Sequence, residues 1–197
     1  MKVLALGGSG GMGRFSSFAI SNYPNITKVT IADLNEDNAK EFSNLFDDRF
    51  TGIGLDVTDK EHLEKVMSGH DIVLNTTGPF FKLGLPILKS AIKCKCHYFD
   101  ICDDWEPTEE MLKLNDEALK SEITAIVGLG ASPGISNLLG LKAMNELDKT
   151  ESIITGWDVS SAKPEDESSQ KGTNAAMEHG LQQISGEIKV YKDKKYK

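Results

Sequence analysis

A glycine-rich turn close to the start of the chain constrains the fold more than any other feature. Gly8, Gly10 and Gly13 have the spacing G-x-G-x-x-G, directly after the apolar run at residues 3–6 and before a helix-forming segment. Between a strand and a helix, this pattern is typical of a turn that binds the pyrophosphate of a dinucleotide. The turn therefore predicts a Rossmann-type domain at the N-terminus.

Each glycine of the motif has a distinct expected task. Gly8 is expected to make the tight turn, Gly10 to let the backbone approach the pyrophosphate, and Gly13 to let the helix pack on the strand. The exposed N–H groups of the helix N-terminus would hold the anion. The residues of this turn predicted to contact the cofactor are Gly8, Ser9, Gly10, Gly11, Met12 and Gly13.

Short apolar strands alternate with amphipathic helices after the turn. The pattern predicts strands at residues 2–6, 28–32, 51–55, 71–75, 97–101 and 124–129. It predicts helices at residues 11–21, 36–46, 60–67, 85–93, 108–121 and 135–147. Strand–helix units of this length imply crossover connections and a parallel sheet covered on both faces. We therefore expect an α/β fold, a doubly wound Rossmann domain, over residues 1–150.

Residues 151–197 have a different texture and are expected to begin a mixed α/β substrate domain. A strand is predicted at 153–159, a helix at 173–184 and a strand at 187–191. A segment this short cannot close a hydrophobic core of its own. We expect the sequence to end within that domain. The apolar residues of this segment are then expected either to pair with another chain, as in a homodimer, or to stay mobile.

Composition narrows the possible partners and compartment. The formal net charge of −8 argues against nucleic acid, which needs a clustered basic surface. No segment approaches the roughly 20 apolar residues of a membrane span. Cys94, Cys96 and Cys102 form an odd set that suits a reducing compartment, and they lack the second ligand pair of a metal site. We expect a cytoplasmic protein without membrane, metal or nucleic-acid partners.

Asp33 follows the second predicted strand, twenty positions after Gly13. A carboxylate there can accept hydrogen bonds from the adenosine ribose hydroxyls, and it repels a 2′-phosphate. The cofactor is therefore expected to be NAD or NADP, with NAD slightly favoured. Arg14 and Asn35 lie close enough in sequence to weaken that preference. The alternative role for Asp33 is to cap the following helix.

Two further loops follow predicted strands, where the ligand crevice of a parallel sheet forms. Asp56 and Val57 end the third strand and can either face the adenine ring or simply lead into the next helix. The loop after the fourth strand is expected to border the nicotinamide. Its predicted cofactor residues are Asn75, Thr76, Gly78 and Pro79.

Substrate chemistry is expected after the fifth and sixth strands. Residues 97–105 carry three carboxylates, an imidazole and an indole. From these, Asp103 and Asp104 are the candidate catalytic residues, able to bind an ammonium group or to transfer a proton. The alternative is that they cap the next helix. The loop 130–137 could hold a substrate carboxylate on free N–H groups, or merely begin a helix.

Taken together, these motifs resemble the saccharopine dehydrogenase-like family. The resemblance runs over roughly residues 1–185 and includes the family's lysine-dehydrogenase and carboxynorspermidine-synthase-like branches. It implies a Rossmann domain followed by a substrate domain that often also mediates dimerisation. It also implies NAD(P)-dependent chemistry at the carbon–nitrogen bond of an amino acid or amino-acid adduct, hence a small amino-acid-type substrate.

Two other interpretations remain open. Gly7, Gly11 and Gly13 also fit the G-x-x-x-G-x-G spacing of short-chain dehydrogenases that act on carbonyls, and Tyr191 and Lys195 formally make Y-x-x-x-K. The lysine-rich tail gives such a match by chance, and the tyrosine mechanism needs a helix within the Rossmann domain. The other interpretation is a dinucleotide-binding module without turnover.

Overall fold

The fold is an open parallel sheet with helices packed on both of its faces. The computed structural model describes residues 1–156 together with 181, 185, 191, 192, 195 and 196. The sheet comprises β1 (Lys2–Leu6), β2 (Lys28–Asp33), β3 (Phe50–Gly54), β4 (Ile72–Asn75), β5 (His97–Asp100) and β6 (Ala125–Ile126). The helices in the described residues are α1 (Gly11–Ser21), α2 (Glu36–Ser43), α3 (Lys60–Met67), α4 (Phe80–Cys94), α5 (Trp105–Leu112), α6 (Asn115–Lys120) and α7 (Ile135–Asn145).

The strand order is β3-β2-β1-β4-β5-β6, and all neighbouring strands are parallel. The chain winds outward from β1 to β3, then returns to place β4 on the other side of β1. Where the winding direction changes, the loops at the carboxyl ends of the strands diverge and leave a crevice. This topology confirms the predicted doubly wound fold class and puts the crevice between the loops of β1 and β4.

Alternate residues of β1 are buried on opposite faces of the sheet. Leu4 and Leu6 belong to the larger apolar cluster, formed with residues of α3, α4 and α5. Val3 packs in a second cluster with Ile31 and Phe42. All of these side chains are at most 2% exposed. Burial on both faces explains why the strand is a continuous apolar run in the sequence.

The helices differ in how their first turns are capped. The Asn35 side chain accepts a hydrogen bond from the N–H of Asn38 at 3.1 Å, which caps α2. Asp59 caps α3 in the same way, through the N–H of His62. The N-cap of α1 is Gly10, which has no side chain to offer. The first-turn N–H groups of α1 are therefore left for another acceptor.

Several predicted element boundaries were wrong, including the end of α2, which lies at Ser43 rather than at residue 46. The helix predicted at 85–93 begins at Phe80 and contains Pro86 in its interior. The helix predicted at 108–121 is two helices, because the chain turns inward and buries Leu114 between α5 and α6. The strand predicted at 124–129 has only two residues, because Gly128 takes a left-handed φ of +76° that ends the extended run.

The predicted substrate-domain segment is described only in part. Residues 152–156 form no strand, since Ile154 is 90% exposed and no neighbouring strand pairs with it in the described residues. Apart from Leu181, which is helical, the helix predicted at 173–184 lies outside the described residues, as do most of the strand predicted at 187–191 and any dimer contact there. Near the C-terminus, Tyr191–Lys192 (β7) pairs antiparallel with Lys195–Tyr196 (β8).

Candidate dinucleotide site

Gly7, rather than Gly8, makes the left-handed turn after β1. Gly7 has a φ of +66°, and a Cβ there would approach the backbone of Thr76 and Thr77 to 3.2 Å. Gly8 is needed for another reason, because its Cβ would lie 2.9 Å from the carbonyl oxygen of Ala5. The motif lies where the sequence predicts it, but the role predicted for Gly8 was wrong: Gly7 supplies the turn conformation.

Of the other two glycines, Gly13 is needed for packing, whereas Gly10 leaves space for a ligand. A Cβ on Gly13 would overlap the carbonyl oxygen of Gly7, so only glycine lets α1 lie this close to the turn. A Cβ on Gly10 would meet just one neighbour, the Gly7 oxygen at 3.3 Å, with open space elsewhere. A side chain at position 10 would therefore point into open space rather than into the protein.

The N-terminus of α1 has unused hydrogen-bond donors. Within residues 1–156, no backbone oxygen accepts the N–H groups of Gly11, Met12 or Gly13. These three donors and the helix dipole suit an anion such as a pyrophosphate. The glycine cradle and the free donors together fit the phosphates of a dinucleotide.

The N-terminus of α7 is different, because its donors are already used. The N–H of Ile135 donates to the Gly130 oxygen at 3.0 Å, and that of Ser136 donates to Ala131 at 2.9 Å. The loop 130–137 therefore favours the simpler of its two interpretations, the start of a helix, over a carboxylate-binding site.

Asp33 lies at the carboxyl end of β2, beside the glycine turn. Its Oδ2 accepts a 2.6 Å hydrogen bond from the Ser9 hydroxyl, and its Oδ1 accepts the N–H of Asn35 at 3.3 Å. Because Asn35 caps α2, Asp33 is not the helix cap. Arg14 is held nearby, with Nε bonded to the Ser9 oxygen and its guanidinium over the Phe42 ring at 4.8 Å.

Asp56 and Val57 follow β3 at the same edge of the sheet. Asp56 is exposed and accepts hydrogen bonds from the N–H and hydroxyl of Thr58, which lower the pKa of its carboxyl group. The residue that caps the next helix, α3, is Asp59, three residues later. Val57 and Thr58 line a groove of about 360 Å³ between α3 and α4, with an apolar floor that includes Leu63 and Leu83.

The loop after β4 is tied to the glycine turn. The Thr76 hydroxyl donates to the carbonyl oxygens of Leu6 and Gly7, at 2.8 and 3.2 Å. The Thr77 hydroxyl is buried and finds no hydrogen-bond partner in the described residues. A buried, unsatisfied hydroxyl costs about 1–3 kcal/mol, which a ligand group could recover. Thr77 was not among the predicted site residues, and nothing in its sequence context distinguishes it from Thr76.

Asn75 does not face the crevice directly. Its side chain is fully buried, with Nδ2 donating to the Tyr98 hydroxyl at 3.0 Å and Oδ1 accepting the Thr77 N–H at 3.0 Å. Tyr98 in turn donates to Oδ2 of Asp100 at 2.8 Å. Sequence reasoning missed Tyr98 and Asp100. The available signal was two polar-tipped residues at i and i+2, hence on one face, of a strand covered on both sides.

Burial is the main cause of the pKa shifts of Asp100 and Tyr98. It raises the pKa of the Asp100 carboxyl, although N–H groups of Gly128 and Cys102 oppose the shift by hydrogen bonding to the carboxylate. Burial, with the nearby Asp100 charge, raises the pKa of Tyr98 well above its usual 10.0. The thiol of Cys102 is also buried, with a pKa raised to about 11, so it stays protonated near neutral pH.

The two candidate catalytic carboxylates occupy different environments. Asp103 is exposed, whereas Asp104 is only 8% exposed and occupies the N-cap position of α5. The Asp104 side chain makes no capping hydrogen bond, so the capping alternative does not describe it. His97 was expected at the crevice, but it begins β5 at the opposite edge, where Nδ1 accepts the Thr124 N–H.

A metal site and the Y-x-x-x-K match find no support among the described residues. Within them, no group of three or more His, Cys, Asp and Glu side chains could hold a metal ion. No helix among the described residues is both long and apolar enough to cross a membrane. Tyr191 and Lys195 lie on two paired strands, β7 and β8, rather than on a helix. The Y-x-x-x-K match therefore lacks the geometry that a short-chain dehydrogenase needs.

The fold and the glycine cradle define a Rossmann-type dinucleotide-binding domain. Residues 3–126 match the family described as the saccharopine dehydrogenase NADP binding domain. The chain belongs to this family, which confirms the resemblance seen in the sequence. The cofactor is accordingly NAD or NADP. The family assignment favours the saccharopine dehydrogenase-like interpretation over that of a short-chain dehydrogenase.

Related proteins extend well beyond the matched region. The chain is 29% identical over 105 residues to a saccharopine dehydrogenase [NADP(+), L-glutamate-forming] of Schizosaccharomyces pombe, spanning 53% of this chain and 22% of that protein. The Saccharomyces cerevisiae counterpart is 31% identical over 97 residues, 49% of this chain and 21% of the relative. The chain thus spans about a fifth of the length of these relatives.

A solved structure shares the same architecture. The apo structure of the L-glutamate-forming saccharopine dehydrogenase from Saccharomyces cerevisiae aligns with a TM-score of 0.64 and 28% identity. The alignment covers 74% of this chain and 31% of that one. The likeness extends over the parallel sheet and its flanking helices, in agreement with the strand order described above.

Proposed function

We propose that this chain binds NAD(H) or NADP(H) and supplies the cofactor half of an oxidoreductase acting on an amino-acid carbon–nitrogen bond. The observation that carries the proposal is the N-terminus of α1, where the N–H groups of Gly11, Met12 and Gly13 are free beside the open side of Gly10. Family membership supports the cofactor class. The names of the relatives support the substrate class.

Individual residues have separate parts in this proposal. The free N–H groups of α1 bind the pyrophosphate, and Gly8, Ser9 and Gly10 shape its cradle. Asp33 binds the adenosine ribose through a carboxylate that Ser9 already orients. Asp56 and Val57 flank the adenine end. Thr76, Gly78 and Pro79 form the wall beside the nicotinamide, and Asn75 shapes that wall from below.

NAD is the preferred cofactor in this proposal, although the named yeast relatives use NADP(+). The Asp33 carboxylate is half-buried and fixed by two hydrogen bonds, so it cannot easily move away from a 2′-phosphate. Arg14 could neutralise such a phosphate, but its Nε already donates to the Ser9 carbonyl oxygen, and its guanidinium group already lies over the Phe42 ring.

When bound, the nicotinamide would supply a hydride acceptor or donor, and the residues of this chain would contribute orientation and charge. Asp103 is the better placed of the two candidate catalytic residues, because it is exposed at the crevice edge of β5. There it can bind the substrate ammonium group or take a proton from it. Asp104 supports the same loop from a buried position. A cytoplasmic location completes the proposal, supported by the three free thiols.

Gly10→Val tests the cofactor site. The branched side chain would extend into the space that the pyrophosphate needs, so NADH affinity should fall by at least about tenfold. Gly69→Val is the matched control, because Gly69 lies outside the crevice and its nearest Cβ neighbour is 3.6 Å away. Titration of NADH fluorescence measures both. Equal NADH affinity in the Gly10 variant and the wild type would refute the assignment.

A dinucleotide-binding module without turnover is the second candidate. It is favoured by the extent of the family match, which covers the cofactor-binding domain at residues 3–126. The two candidates differ in one measurement, NADH or NADPH production by the purified protein with a panel of amino acids and amino-acid adducts. Cofactor binding without amine-dependent reduction would select the module.

A further inference from the structure

Three buried polar side chains form a continuous hydrogen-bonded group beneath the crevice. We call this group, Asn75, Tyr98 and Asp100, the polar hub. Each of the three is 0% exposed. Asn75 donates to Tyr98, and Tyr98 donates to Asp100. The hydrogen bonds run in one direction, from an amide through a hydroxyl to a carboxylate.

The polar hub also binds the backbone of three loops. Oδ1 of Asn75 accepts the N–H of Thr77, in the loop that follows β4. Oδ1 of Asp100 accepts the N–H of Cys102, at 3.0 Å, after β5. The same oxygen accepts the N–H of Gly128, at 2.8 Å, after β6. The loops at the carboxyl ends of three neighbouring strands are therefore fixed to one buried group.

The other half of the crevice has a support of its own. The loops that follow β1 and β2 are joined by the hydrogen bond between Ser9 and Asp33. The side-chain hydrogen bonds of the hub, by contrast, connect β4 and β5 to the loops that follow β4, β5 and β6. The crevice thus has two halves with different side-chain supports, which meet where the Thr76 hydroxyl donates to the carbonyl oxygens of Leu6 and Gly7.

We propose that the polar hub positions the nicotinamide half of the site, so that its integrity affects binding of the whole dinucleotide but not of the adenine half alone. This inference rests on the proposed function and assigns Tyr98 and Asp100 as positioning residues. An apolar core would pack equally well at this depth, but it could not set the direction of three loop N–H groups. Burying a carboxylate is costly unless it is well hydrogen-bonded, as it is here.

Tyr98→Phe interrupts the polar hub at its centre. The change leaves the Asn75 amide and an Asp100 oxygen without their shared partner, and it breaks the link between the loop after β4 and the loops after β5 and β6. We expect NADH affinity to fall roughly tenfold, while ADP-ribose affinity stays within about twofold. For NADP(H), the same comparison is made between NADPH and 2′-phospho-ADP-ribose. Fluorescence titration gives the dissociation constant of the reduced cofactor, and competition against it gives that of the adenine half, both on the same protein.

An exchange of two hub residues provides a rescue. Asp100→Asn places an amide donor where Tyr98 needs an acceptor, and Asn75→Asp places an acceptor where Tyr98 receives a proton. Each single variant should lower the ratio of NADH to ADP-ribose affinity. The double variant N75D/D100N reverses the direction of both hydrogen bonds and again satisfies both of them. It should recover most of the wild-type ratio, which a loss of packing alone would not predict.

Val73→Ala is the control for stability. Val73 is buried on β4 next to the polar hub but carries no polar group. It should lower the thermal stability without changing the affinity ratio. If the ratio is also unchanged in Tyr98→Phe and both single exchanges, the positioning role is wrong although the dinucleotide site stands. If the wild-type protein binds neither NADH nor NADPH, the proposed function fails, and the hub's role in it fails too.

Discussion

The Ser9 hydroxyl donates a 2.6 Å hydrogen bond to the Asp33 carboxylate, joining the glycine turn to the end of β2. Ser9 is 7% exposed, so this bond is shielded from solvent on one side. In the proposed site, this bond orients the carboxylate towards the ribose hydroxyls of the dinucleotide. In this proposal, Ser9 therefore acts through its hydroxyl as well as through its place in the glycine motif.

Asp33→Ala should relax the choice between NAD and NADP. Without the carboxylate, NADH loses a ribose partner and NADPH loses a repulsive charge. We expect the ratio of NADPH to NADH affinity to rise by roughly tenfold or more, from a value below one in the wild type. Titration of both reduced cofactors gives the ratio. Tighter binding of NADPH than NADH by the wild type would contradict the role given to Asp33.

Gly13→Ala should destabilise the domain. The added Cβ would overlap the Gly7 oxygen, forcing α1 away from the turn. Overpacking of this kind costs about 1–3 kcal/mol, which denaturant unfolding resolves. Gly69→Ala is the matched control, with its nearest neighbour at an ordinary 3.6 Å. Similar unfolding midpoints for the two variants would show that α1 does not depend on close contact at Gly13.

His70 should make stability sensitive to mild acid. Its Nδ1 bonds to the Val66 carbonyl oxygen and therefore carries the proton, while Nε2 accepts from the Thr30 hydroxyl. Burial lowers the pKa of His70 below its usual 6.5. The unfolded chain then binds more protons than the folded chain, so the stability present above pH 6.5 is lost as the pH falls towards the folded pKa.

The comparison with His70→Gln isolates this effect. The difference in unfolding free energy between wild type and variant should shrink as the pH is lowered through 6.5. Urea titrations at several pH values measure it. A difference that stays constant or grows on acidification would exclude a neutral, half-buried His70.

Asp103→Asn should separate catalysis from cofactor binding. If Asp103 handles the substrate amine, its neutral isostere lowers kcat by roughly a hundredfold, while NADH affinity stays unchanged. Asp116→Asn, at an exposed position on α6, is the control for loss of one surface charge. Equal turnover in the Asp103 variant and the wild type would remove Asp103 from the mechanism.

The sequence predicts the sheet well because burial on both faces leaves a strong signal. The run at residues 3–6 is typical of a doubly covered strand, and the glycine motif directly after it predicts the turn and the start of α1. The motif does not reveal which glycine takes the left-handed conformation, since Gly7 and Gly8 are adjacent. The end of β6 was missed for a similar reason: a glycine at position 128 permits a left-handed φ, but the sequence does not show that Gly128 adopts one.

The polar hub could not be derived from local patterns. Asn75 and Tyr98 are 23 positions apart, and their contact depends on the register in which β4 pairs with β5. In the sequence, a carboxylate at position 100 looks like one more acidic residue before Asp103 and Asp104. Only the three-dimensional arrangement shows that Asp100 is fully buried and hydrogen-bonded, whereas Asp103 is exposed.

The central position of β1 makes the crevice modular. On one side, β2 and β3 present Asp33 and Asp56, whereas on the other β4, β5 and β6 present the loops held by the polar hub. Under the proposed function, a change of coenzyme preference at Asp33 should leave the hydride-transfer end unaltered. Conversely, changes in the loops that follow β4 to β6 should alter the choice of amine substrate while adenosine recognition stays the same.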